Sequence, residues 1–145
     1  MIRPKWMYPI LVCILTFSAG VLTWTLAGSR ERVLLEGQFH SVAHKGTGEA
    51  RMVAVSGGGR LLRLLDVKTY PAPDLEVCLV DAPDAEDNDT VVQAGSICLG
   101  RYDPRAAFVT YPVPATVDTG RYRAVAIWNR AYGVNFTTAP LWDKP

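Results

Sequence analysis

From Arg30 to Pro145 the chain never sustains a helical period. Short segments of alternating apolar and polar residues follow one another instead, cut by Gly, Pro and Asp: VLLEGQFH, EARMVAVS, RLLRLLDV, LEVCLV, SICLG, AAFVTY, YRAVAIWN and GVNFTTA. A period of two sends successive side chains to opposite faces of a strand, and the short connections leave no room for helical crossovers. The pattern predicts an all-β fold of antiparallel strands, closed as a β-sandwich or as a barrel. Gly57 to Gly59 supply positive φ for a hairpin between two of the segments, and with no helix or Lys after them they do not read as a phosphate loop. Asp103-Pro104 and Asp118 to Gly120 read as turns.

The N-terminus has a different character. Of 145 residues, 49% are hydrophobic and 20% charged, more apolar than one exported domain requires, and the excess sits between Trp6 and Gly28, where 23 residues carry no formal charge. At about 1.5 Å per helical residue that run crosses a hydrocarbon core of about 30 Å. The expected organisation is a cytoplasmic tail over 1–5, a transmembrane anchor or signal sequence over 6–28, a linker over 29–35 and one folded domain over 36–142. A cleaved signal sequence usually has an apolar region of about 7 to 15 residues, shorter than this one, although Thr25, Leu26 and Ala27 offer a weak cleavage site. Trp6, Tyr8 and Trp24 lie near the ends of the run, where amphipathic rings favour the interface. Arg3 and Lys5 on one side and Arg30 and Arg32 on the other leave the charge rule divided. A five-residue tail has nothing to carry it across, so the expectation is a single-pass membrane protein with its C-terminal domain extracytoplasmic.

Beyond residue 29 there are 13 basic and 14 acidic residues, a balance without the footprint of a nucleic-acid binder. The acidic stretch Asp81 to Asp89 imitates the start of a calcium loop at Asp84, Glu86 and Asn88. Asp89 stands where the turn glycine belongs and Gly95 where the closing Glu belongs, so a solvated loop is expected and no metal. His40 and His44 on one extended strand would be about 13 Å apart, too far to share a metal unless the chain turns between them. No Ser occupies a strand-to-helix elbow, and no catalytic residue is assigned.

Two cysteines, Cys78 and Cys98, fall in the domain, an even count in a compartment that permits disulfides. Strand parity sets Cys78 with Glu76, opposite Leu75, Val77 and Leu79, and sets Cys98 with Ser96, so both cysteines lie on the polar face of their strands. If the strands are hairpin neighbours, the two residues can be directly opposite one another and able to form a disulfide, or a redox pair.

Four stretches in order, GQFHSVAHKGTGEARMV, LLRLLDVKTYPAPDLEVCLV, AGSICLGRYDPRAAFVTYPVP and YRAVAIWNRAYGVNFTTAPL, resemble a DM13 domain over Glu36 to Leu141. The most specific part is PAPDLEV, followed much later by Ile-Trp and the Phe of VNF. The resemblance implies a β-sandwich of exported or cell-surface proteins, and a family proposed to transfer electrons through a nearly invariant cysteine directly after Ile-Trp, as a thiol or as an attachment point for a group such as haem. Here that position is Asn129. Unlike a thiol, an amide neither becomes a nucleophile nor cycles through oxidation states. Parity points Asn129 inward at the end of the row Val125, Ile127, where it either bonds the turn that follows or lines a small pocket with Trp128, Tyr132 and Phe136. The expected function is a binding or assembly module for a protein or small molecule, with haem implied only by the family. The alternative is electron transfer through Cys78 and Cys98.

Overall fold

A computed structural model describes residues 30–145. The expected tail and the anchor or signal segment, 1–28, lie outside the described residues, and among the described residues no helix is long and apolar enough to cross a membrane.

Each of the eight expected segments forms a strand. The first breaks at Phe39 into β1 (Arg32–Gln38) and β2 (His40–Ser41), which belong to different sheets. β3 (Thr47–Ala54), β4 (Arg60–Lys68), β5 (Leu75–Val80), α1 (Asn88–Ala94), β6 (Ser96–Arg101), β7 (Phe108–Val113), β8 (Ala124–Asn129), β9 (Val134–Pro140) and β10 (Trp142–Asp143) follow. They form two antiparallel five-stranded sheets, in the orders β10-β1-β3-β4-β7 and β2-β9-β8-β5-β6. The sheets share no hydrogen-bonded strand, which decides for a sandwich over a barrel.

Alternate residues of both sheets meet in one core. Met52, Leu62 and Leu64 come from the first sheet, and Val77, Leu79, Val125 and Ile127 from the second, each no more than 1% exposed. Burying side chains of this size favours the folded state by about 1.5–3 kcal/mol apiece. Two tyrosines tie the sheets together beside β6, one from β7 and one reaching β4. Tyr111 donates to the Arg101 carbonyl at 2.5 Å, Tyr102 just after β6 donates to Val67 at 3.1 Å, and burial pushes both hydroxyls up to about 12. At the β3–β4 hairpin Gly57 and Gly58 adopt φ of 103° and 94°, the left-handed values that the glycine run anticipates.

The acidic stretch is only in part the solvated loop expected: Glu86, Asp87 and Asp89 are exposed, but residues 81–95 also fold across the outer face of the second sheet. Asp87 caps α1 by accepting from the Thr90 N–H at 2.7 Å, and Val91 turns inward to join Val80, Ala85, Ala124 and Ala126 in a second, smaller core. The base of this flap is closed by the Asp81 N–H to the Gly95 carbonyl, 2.9 Å, and by an ion pair of Asp81 with Arg121. The face that parity assigns as polar is therefore covered, and Cys78 is 0% exposed.

Candidate functional site

The two motifs that carry the family resemblance meet in space. Antiparallel pairing of β5 with β8 places Leu75 of PAPDLEV opposite Asn129, and Asp74 stands in the left-handed region at φ 58°. Aspartate tolerates that conformation better than most residues. Its carbonyl accepts from the Arg130 N–H at 3.0 Å, and the carbonyl of Pro73 accepts from Asn129 Nδ2 at 3.4 Å. Asn129 Oδ1 accepts from the Tyr132 N–H at 3.0 Å, while the Asn129 carbonyl accepts from Gly133 at 2.9 Å. The side chain is 1% exposed. Both its carbonyl and its NH₂ are engaged, which is what a buried amide requires, and the amide fastens the β8–β9 turn to the start of β5.

Trp128, Tyr132 and Phe136 are distributed rather than gathered around it. Tyr132 is 80% exposed, Phe136 belongs to the core between the sheets, and Trp128 packs on the opposite face against the flap. The register explains the separation, since Ile127 pairs with Thr137 and Trp128 with Asn135, leaving Phe136 as the extra residue of a bulge. Beside the corner, a cleft of about 440 Å³ is lined by Asp74, Glu76, Arg101, Arg130 and Ala131, and the Arg130–Glu76 ion pair at 3.3 Å lies along it.

Cys78 and Cys98 are opposite one another on β5 and β6, and their sulfurs lie 1.97 Å apart, a bonded pair. The two residues differ in access. Cys98 is on an exposed edge strand, whereas Cys78 is buried under the flap. A Glu76 carboxylate oxygen and the two sulfurs lie within 4.8 Å of one another, but sulfurs joined to each other offer a metal no thiolate.

The register extends that row. Cys98, Cys78, Ala126, Thr138 and His40 run in line across the outer face of the second sheet. At its far end His40 Nε2 meets Asp84 Oδ1 at 2.7 Å, and the same oxygen accepts from the Ala85 N–H at 2.8 Å. Nδ1 of the same ring faces the Ser41 carbonyl at 3.2 Å. Two acceptors ask for two ring N–H groups. Burial pulls the His40 pKa down, but the bonds to Asp84 and Ser41 and the charges of Asp84 and Glu86 outweigh it and leave it raised.

Asn135 is the residue that the sequence reading passed over. Its backbone N–H donates to Asn88 Oδ1 at 2.8 Å, and its Nδ2 reaches the carbonyls of Ala85 and Asp87 at 3.2 and 3.3 Å and Thr138 Oγ1 at 2.8 Å. It is 0% exposed. An amide in the middle of the apolar GVNFTTA strand was the available sign of a partner lying across it.

His44 is well separated from His40 in role. Its ring stacks on Tyr70, centroids 4.9 Å apart and planes inclined by 17°, and meets Phe136 at 4.2 Å. Together with Lys45, Thr47, Lys68, Thr69 and Tyr70 it lines a cleft of about 400 Å³.

Comparison with known proteins adds one match. The family model described as electron transfer DM13 matches residues 38–141. No curated protein and no solved structure matches the chain.

Proposed function

The chain belongs to the electron transfer DM13 family, and from that premise we propose that it is a membrane-anchored, extracytoplasmic DM13 module that binds or assembles with a partner and performs no thiol chemistry of its own. The observation that carries the reading is the amide at the corner. Asn129 stands directly after Ile127 and Trp128, is buried, and spends its carbonyl and NH₂ on Tyr132 and Pro73. An amide cannot form the thioether that attaches a haem, so this corner does not fit a group held in that way.

The disulfide supports the same reading. A thiol attacking Cys98 from solvent would expel Cys78 as a thiolate into an apolar, covered site beside the Glu76 carboxylate. Placing a new negative charge in a covered, apolar site is unfavourable, and that slows exchange through this pair. The anchor rests on the charge-free run from Trp6 to Gly28, long enough to span a bilayer.

Equilibration of the full-length chain with redox buffers tests the proposal. A structural pair has a potential below about −300 mV. A potential near that of the glutathione pool, with rapid exchange, would instead establish electron transfer through Cys78 and Cys98. The anchor is tested separately: the chain should resist carbonate extraction, and a mature N-terminus near Gly28 would make it a released domain.

A further inference from the structure

We propose that the cleft beside His44 is a binding site for a planar aromatic acid of one or two rings. This inference deepens the binding-module reading and rests on it. Three independent features meet in the cleft. The first is a π surface. Tyr70 is 60% exposed although it stacks on His44, and His44 is itself held against Phe136, so the tyrosine presents an aromatic face from a fixed support. An exposed aromatic face on a rigid base loses little side-chain freedom when a second ring covers it.

The second feature is charge. Lys45 and Lys68 line the same cleft, and no carboxylate among the described residues lies within ion-pair distance of either. The third is a hydroxyl without a partner. Thr69 lines the cleft and its Oγ1 is buried with no hydrogen-bond partner, the one such side-chain atom among the described residues. A buried hydroxyl left unbonded is costly, and turning the Thr69 side chain toward a ligand oxygen in the cleft would relieve it. At about 400 Å³ the cleft is within the range of small-molecule sites, and a mostly apolar lining with a few polar groups is their usual composition.

The backbone holds these groups in place. The turn after β2 is tied down by the Ala43 and His44 N–H groups, which donate to Asn135 and Phe136, and by Ser41 Oγ, which accepts from Gly46. Thr47 and Lys68 are cross-strand partners at the open ends of β3 and β4. A ring laid on Tyr70 thus carries its acid group into a region with two ammonium groups and a hydroxyl.

Titration of the full-length chain with 2-naphthoate, followed by saturation-transfer NMR and by the ring resonances of His44 and Tyr70, tests the assignment. Saturable binding is expected, weakened by added salt because part of it is ionic. Cyclohexanecarboxylate, with the charge but no π face, and 2-naphthylmethanol, with the rings but no charge, should each bind at least about fivefold more weakly, since each lacks one of the two contributions. Tyr70→Ala should weaken 2-naphthoate about tenfold, the loss of one stacking contact, and Tyr70→Phe should retain it. The double variant Lys45→Gln/Lys68→Gln should abolish the preference for the acid over the alcohol. Both sites are exposed, so folding is not at issue, and the amide resonances of the core confirm it. No saturable binding, equal binding of the three probes, or indifference to Tyr70→Ala overturns the inference. That outcome leaves the redox measurement untouched, and rapid thiol exchange would sink the binding-module reading without touching this titration.

Discussion

Over its central strands, the sheet formed by β2, β9, β8, β5 and β6 is covered on both faces, by different means. The inner face presents Leu75, Val77, Leu79, Val125 and Ile127 to the opposing sheet, large aliphatic groups at most 2% exposed. The outer face presents Val80, Ala124 and Ala126, small enough to leave a shallow floor, and is closed by the 81–95 flap with Ala85 and Val91. What ties the flap to the sheet is directional: the side-chain and backbone bonds of Asn135 and the His40–Asp84 bond. The inner face depends on volume, and the outer face on particular atoms. A hydrophobic core tolerates changes that conserve volume, whereas a flap held by a few hydrogen bonds is released when one partner is lost.

The largest expected effect tests the inner face. Ile127→Ala should destabilise the domain by about 4 kcal/mol, because it removes a fully buried branched side chain and leaves a cavity between sheets. Denaturant unfolding measures it. Ile127→Val should cost only about 1 kcal/mol. If the alanine variant costs no more than changes under the flap, the two faces do not differ in the way described.

The disulfide comes next. Cys78→Ala/Cys98→Ala should cost about 3 kcal/mol on the chain-entropy model, for two residues separated by 20 in sequence. Since the bond ties β5 to the edge strand at the two ends of the flap excursion, hydrogen exchange in β6 should rise more than in β8.

Two buried amides then separate the flap from the corner. Asn135→Ala removes bonds to Ala85, Asp87 and Thr138 and should cost about 2–3 kcal/mol, with faster hydrogen exchange confined to 85–94 at first. Asn129→Ala removes one contact to Pro73 and one to Tyr132 and should cost about 1–2 kcal/mol, loosening the turn at residues 130–133. A larger loss at Asn129 than at Asn135 would mean that the corner, not the flap, is the more demanding polar site.

The same contrast explains what could be read from the sequence. Period-two alternation recorded the inner face directly, since Leu75, Val77 and Leu79 had to share it, and it set Cys78 and Cys98 on one face, where the observed register makes them opposite. The DM13 match over 38–141 agrees with the motifs that first suggested it. The alternation could not say that a loop would cover the other face, because Asp81 to Asp89 has the composition of a solvated turn. Its attachments are single atoms distant in sequence, Asp84 to His40 and Ala85 to Asn135. The short helix was within reach, since Asp87 and Gly95 bracket NDTVVQA as cap residues, but only Val91 of that helix is buried and no period develops over seven residues. The bulge that parts Phe136 from Trp128 left no trace in the pattern, which offered Trp128, Tyr132 and Phe136 alike as neighbours of Asn129.

The smallest effect concerns the latch between flap and sheet edge, and its sign follows from the protonated form of His40. Both ring nitrogens face acceptors, Asp84 Oδ1 at 2.7 Å and the Ser41 carbonyl at 3.2 Å, so the folded state prefers the imidazolium and its pKa is raised above 6.5. A raised folded-state pKa stabilises fully below the unfolded value, and the contribution disappears as pH rises through the folded one. The domain should therefore lose stability from about pH 6.5 upward, by no more than about 1 kcal/mol because the pair is partly exposed to solvent. His40→Gln should flatten that part of the profile, and because His44 is present in both proteins, the difference between the two curves isolates His40. Hydrogen exchange at Ala85, whose N–H shares Asp84 Oδ1, should follow the same pH course in the wild type and lose it in the variant. A flap that opens equally at pH 6 and pH 8 would show that the bonds of Asn135 hold it unaided, and that the outer face closes without its titrating contact.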